Sequence, residues 1–91
     1  MAPTLVVSRL QISHRVAEKL RYKHGILPQQ VRDAVEGVGR LPFSWHYDPE
    51  RGQRALVVTV IDDEPVLVVL YPARGGNAEE WWLGSAYHLN S

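Results

Sequence analysis

Residues 54–71 read RALVVTVIDDEPVLVVLY, two apolar runs (54–61 and 66–71) around the acidic quartet Asp62-Asp63-Glu64-Pro65. Neither run approaches the ~20 apolar residues of a membrane span, and both are too rich in β-branched side chains to favour a helix. With turn residues between them, the pattern predicts the two central strands of a sheet joined by a tight connection. Both runs are apolar at nearly every position, so both faces of that sheet need cover.

Downstream, the loop PARGGNAEE leads into WWLGSAY, 81–87, a last strand whose alternation sends Trp81 and Trp82 to opposite faces. Gly75-Gly76 within that loop is turn chemistry. Upstream, FSWHYD at 43–48 alternates Phe43, Trp45 and Tyr47 with polar residues, as a strand with one buried face does, and PERG at 49–52 is a turn. The N-terminal half has a different period. TLVV at 4–7 reads as a short strand and SRLQ as a connector. Ile12, Val16, Ala17 and Leu20 then form a stripe at helical spacing behind Ser13 as N-cap. Lys23 and His24 fall in the last turn, where cations offset the helix dipole, and Gly25 suits the left-handed residue that closes a helix. Pro28 opens a second helix with Val31, Ala34, Val35 and Val38 on one side and Gly37 and Gly39 at its end, before the connector GRLP.

The expected architecture is one α+β domain over residues 1–91. Two N-terminal helices, an αα-hairpin, pack on one face of a twisted antiparallel sheet of four to five strands. One helical layer covers one face. The other face is left to strong curling of the sheet, to self-association or to a protein partner.

Composition narrows the function. The 91 residues carry ten basic and ten acidic side chains and no cysteine, so neither a disulfide framework nor a thiolate metal site is available. The opening MAPTLVVSRLQ lacks the charged region and apolar run of a signal peptide, which makes a cytoplasmic protein the expectation. His14, His24, His46 and His88 form no HxxxH or HExxH pair, Gly84-Ser85-Ala86 is not a GxSxG elbow, and no GxGxxG or P-loop occurs. No metal and no cofactor is expected. The charges are uneven, however: between residues 9 and 32 stand Arg9, Arg15, Lys19, Arg21, Lys23 and Arg32 against Glu18 alone. A concentrated basic face attracts phosphates over about a Debye length of ~10 Å even in a neutral molecule. Metal-free cleavage of RNA needs a base for the 2′-hydroxyl, positive charge for the transition state and an acid for the leaving oxygen. Lys23, His24, Arg54, Arg74 and His88 are residue types suited to those tasks, and Trp45, Trp81 or Tyr87 to stacking on unpaired bases. A DNA-reading role for the αα-hairpin is disfavoured, since PQQVRDAVEGV has one arginine against two acids.

These stretches resemble a family. EKLRYKHGILPQQVRDAV looks like the helix-KHG-V-helix opening of BrnT-type toxins of type II toxin–antitoxin systems, which belong with the wider RelE/ParE-like ribonuclease fold. GQRALVVTVIDDEPVLVVLYPARGG is similar to that family's next part, where an arginine opens one strand and the next ends in a tyrosine and a basic loop. WWLGSAY falls where the family carries an Ile-Ser-Ala-Arg strand, and the likeness spans about residues 12 to 88. The resemblance implies a growth-inhibiting ribonuclease acting on free or ribosome-bound RNA and masked by an antitoxin protein. It matches Lys23 and His24 to the KHG motif, Arg54 to the strand-start arginine and Ser85-Ala86 to the Ser-Ala pair. On this reading Lys23 and Arg54 supply phosphate charge, His24 and His88 move protons, and Arg15, Lys19, Arg21, Arg74 and Tyr87 contact the RNA. The sequence departs where the family has arginine after Ser-Ala: here stands Tyr87, then His88, and the chain stops at Ser91 without the relatives' basic C-terminal helix. One cation lost from such a site is worth roughly 3 to 4 kcal/mol of transition-state stabilisation. A non-catalytic module of the same fold, docking a partner on its apolar sheet face, is the alternative.

Overall fold

Residues 54–71 form the expected hairpin, closed by Asp62 and Asp63 at φ 53° and 64°. Two successive left-handed residues give the turn a twist that matches the strands, and aspartate tolerates that conformation better than most side chains. The computed structural model describes residues 2–75 and 78–89. Along them run β1 (Thr4–Val6), β2 (Arg9–Gln11), α1 (His14–Lys19), a π-helical turn (Leu20–His24), α2 (Pro28–Val35), β3 (Arg40–Pro42), β4 (Ser44–Asp48), β5 (Gly52–Ile61), β6 (Glu64–Pro72) and β7 (Glu80–His88). The class is α+β. The main sheet has the order β2-β7-β6-β5-β4, and β1 and β3 form a separate two-stranded sheet.

Several expectations are corrected. The helices do not open the chain, because β1 and β2 precede them. The sheet is mixed rather than antiparallel: SRLQ contains β2, which runs parallel to β7 with Leu10 opposite Trp81. GRLP likewise contains β3, the partner of β1. Three-residue strands show no period, so neither could be told from a connector. The second helix ends at Val35 and leaves Val38 exposed. There the backbone turns to pair with Val7, whose carbonyl accepts from Gly37, while the Glu36 carboxylate takes the Leu10 N–H and the Arg32 guanidinium. β4 is an edge strand, and its expected buried face is largely open: Tyr47 is 69% exposed, and half-exposed Trp45 reaches inward to pack on Phe43 and Trp81. Of the Gly75-Gly76 pair, Gly75 has φ 68° and Gly76 lies outside the described residues, as do Asn90 and Ser91.

The first helix follows the reading of its ends. Ser13 caps it by accepting from the Val16 N–H, and Gly25, at φ 63°, donates to the Leu20 carbonyl with Ile26 behind it. Leu20 and Ile26, with Val31 and Val35 of α2, meet Ala55, Val57, Val66, Val68, Leu70, Trp81, Leu83 and Ala86 in one buried cluster. The opposite sheet face carries Leu56, Val58, Val60 and Leu67, with Val58 60% and Val60 63% exposed. Among the described residues no helix is long and apolar enough to cross a membrane.

The two faces are expected to respond differently to substitution. Leu70→Ala should cost about 2–5 kcal/mol in urea unfolding, since Leu70 is fully enclosed. Val58→Thr should stay within about 0.5 kcal/mol if water covers that face in the free chain.

Candidate functional site

A β-bulge decides which side chains of β7 reach the open face. Pairing shifts by one residue between Val69 opposite Ser85 and Leu70 opposite Leu83, which leaves Gly84 as the extra residue. Without the shift, residues 81, 83, 85 and 87 would share a face. With it, Trp81, Leu83 and Ala86 enter the core, while Trp82, Ser85 and Tyr87 share the other side with Tyr71 and Arg54. Gly84 also has to be glycine here. A Cβ on it would stand 2.3 Å from Cε2 of Tyr71, whose ring lies across the bulge.

On that side a groove of about 310 Å³ is lined by Lys19, Asp48, Arg51, Arg54, Tyr71, Ser85 and Tyr87, among others. A second hollow of about 320 Å³, lined by Arg15, Lys19, Lys23 and Arg51, shares Lys19, Arg51 and Gly84 with it, so the two are continuous. α1 and the π turn pack against β7. Leu20 points to the core and Lys19 reaches the groove, which brings the N-terminal cations to the strand-start Arg54.

Arg54 is held in place from three directions. Its Nε donates to His46 Nδ1 at 3.1 Å, Nη1 donates to the Tyr71 hydroxyl at 3.5 Å, and Nη1 lies 3.4 Å from Asp48 Oδ2. The Tyr71 hydrogen bond raises the guanidinium's pKa further, against the opposing effect of burial, and the Asp48 charge adds a lesser push in the same direction. Asp48 closes the β4–β5 turn by accepting from the Glu50 and Arg51 N–H groups. Those hydrogen bonds, that of Glu50 first, and the nearby Arg54 and Arg51 charges hold its carboxyl below the usual range.

Lys19, Lys23, Arg15, Arg54 and Tyr87, which the sequence singles out, therefore share one groove, and Arg74 lines an adjoining cleft with Arg51. His24 sits at its rim, ring centroid 5.8 Å from that of Tyr87. Burial, then the charges of Lys19, Lys23 and His88, push its pKa below 6.5, so the neutral imidazole dominates at neutral pH. His88 is placed differently: it pairs with Val66 on the core side of β7, and its Nδ1 lies 3.2 Å from Glu64 Oε2. Arg21 is exposed on the π turn and does not line the groove. Arg51 and Tyr71 were missed as site residues. Arg51 reads as part of a turn and Tyr71 as a strand end, and only the three-residue interval between Arg51 and Arg54 hints that a turn can carry both guanidinium groups to one place. Among the described residues no three histidines, cysteines, aspartates or glutamates gather as a metal site.

Gly84→Ala should destabilise the protein by about 1–3 kcal/mol in urea unfolding, because the new methyl meets the Tyr71 ring. Combining it with Tyr71→Ala removes the clash, so the two costs should be strongly non-additive. For His24, the folded state resists protonation more than the unfolded chain does. Its contribution is therefore intact above pH 6.5 and is lost as pH falls through the lower folded value. Between pH 7.5 and 5 the wild type should lose more stability than His24→Gln, and the His24 ring protons should titrate below 6.5 by NMR. The chain matches no protein-family model, no curated protein and no solved structure.

Proposed function

We propose that the protein is a toxin-type endoribonuclease that cleaves single-stranded RNA in this groove without a metal ion. One observation carries the reading. Cations from α1, the π turn, the β4–β5 turn and β5 converge beside the hydroxyl-bearing Tyr71, Ser85 and Tyr87, in a chain whose formal net charge is zero. Asp48 and Glu50 also line the groove, but the five cations Arg15, Lys19, Lys23, Arg51 and Arg54 outnumber them, and such an excess costs self-repulsion and is expected where a polyanion offsets it.

RNA brings its own nucleophile, so the protein has to supply charge and proton transfer. Arg54 and Lys19 hold the scissile phosphate, and Arg51 adds charge as the phosphorane-like state develops. His24, neutral and at the rim, is the base for the 2′-hydroxyl proton. The Tyr87 hydroxyl, expected from the sequence only to contact the RNA, donates to the leaving 5′ oxygen in place of His88. The products are a 2′,3′-cyclic phosphate and a 5′-hydroxyl. The resemblance to BrnT- and RelE/ParE-like toxins supports the same reading and adds an antitoxin as the masking partner.

A second reading has its own observation. Val58 and Val60 stay exposed on the face that carries Arg54, and Arg54 is already paired with Asp48. On this reading the fold is a non-catalytic module that docks a protein there.

The experiment is incubation of the purified chain with single-stranded RNA in EDTA, followed by end analysis. Cyclic-phosphate termini are expected, with Arg54→Ala slowed on the order of 100- to 1,000-fold and His24→Ala also impaired at unchanged circular dichroism. Production of the wild type in cells should arrest growth. Absence of both cleavage and RNA binding, with growth without arrest, would favour the second reading.

A further inference from the structure

Beside the phosphate groove lies a second cleft of about 580 Å³, within the range of about 300–1,000 Å³ typical of ligand sites. Trp82, Tyr71, Pro72 and Val16 supply its apolar surface, and Arg51, Arg74 and Glu50 its charge. Trp82 is 45% exposed, whereas its neighbour Trp81 is 6% exposed and donates its Nε1 hydrogen to the Val6 carbonyl. The ring contacts of Trp45 and Trp81 are with each other and, for Trp45, with Phe43, and Trp82 takes part in neither. Directly across the strands it faces Tyr71, whose hydroxyl reaches Arg54.

We infer that this cleft is a nucleobase subsite, in which Trp82 stacks on the base next to the phosphate held by Arg51 and Arg54. The inference rests on the reading of the groove as an RNA site and specifies its substrate as single-stranded. Three observations carry it. A large aromatic face is left open where the fold could have covered it. Arg51 lines both hollows, so a chain with a phosphate in one places its next residue at the other. Arg51 and Arg74 outnumber Glu50 among the charged residues of the cleft's wall, a net cationic balance that suits a nucleotide. In a duplex the base faces are already stacked, so this platform serves unpaired residues alone. Stacking on one aromatic side chain contributes enough that its removal is measurable base by base.

The test uses a six-residue 2′-O-methyl oligonucleotide, which binds but lacks the nucleophile for cleavage, and a chain of equal length with every base removed. The wild type should bind the base-bearing probe about 5- to 150-fold more tightly than the abasic one. In Trp82→Leu that ratio should fall towards one while affinity for the abasic chain is kept, and Trp82→Phe should restore part of it. An unchanged ratio in Trp82→Leu overturns the subsite and leaves the RNA reading standing. No binding of either probe by the wild type at low salt overturns both. Should Trp82→Leu fail to fold, Trp45→Phe serves instead: its emission, from Trp81 and Trp82, should be quenched by the base-bearing probe and not by the abasic one. Equal or absent quenching by both probes at saturation overturns the subsite.

Discussion

A strand assigns its side chains strictly in alternation, and β7 has to place three apolar residues in the core and three cleft-lining ones outside it within seven positions. Trp81, Leu83 and Ala86 do not share a parity, so an unbroken strand would bury the wrong set. The extra residue at Gly84 resolves the conflict by moving everything after it to the other parity. The same glycine leaves room for the Tyr71 ring, and that ring carries the hydroxyl to which Arg54 donates. The sorting of β7 side chains into the core and the seating of the Tyr71 ring beside Arg54 thus share one backbone irregularity.

Much of the fold is visible in the sequence because its elements are long or carry specific end chemistry. The long apolar runs of β5 and β6, Ser13 and Gly25 around the first helix, and Pro28 at the start of the second each have a local physical cause. The short strands do not. Leu10 and Leu41 are single apolar residues in polar stretches, and what makes them strands is a partner far along the chain, Trp81 for one and Leu5 for the other. Trp45 misleads for a related reason. Its alternation with Ser44 and His46 is that of a half-buried strand, but the strand lies at the sheet's edge, beyond the helices, and only part of the ring finds cover.

The candidate site was legible as a set of residue types rather than as a place. Of the six cations between residues 9 and 32, Arg15, Lys19 and Lys23 line the groove, whereas Arg32 is spent on Glu36 and the Leu10 carbonyl, a structural task at the junction of α2 and β2. Spacing along a helix cannot separate these fates, because they depend on what each face of the helix meets. His88 illustrates the limit most clearly. One position after Tyr87, it is sent by alternation to the opposite side of the sheet, where Glu64, the first residue of β6, meets it. The adjacent pair looks like one cluster in sequence and is divided by the thickness of the sheet.

Electrostatic stabilisation depends on where charge sits relative to the reacting phosphate and not on which element delivers it. This bears on Tyr87, which stands where the toxin resemblance would place an arginine. Arg51, from the β4–β5 turn across the sheet, lines the same groove, and the turn that carries it is fixed by Asp48 through two backbone hydrogen bonds. Asp48 also lies beside Arg54, so one carboxylate organises both guanidinium groups while drawing off part of their charge. On the proposed reading, an incoming phosphate has to compete with it for Arg54. On the same reading, such a site gives up some anion affinity for a rigid cationic frame, and the tyrosine on β7 serves the leaving group instead of the charge.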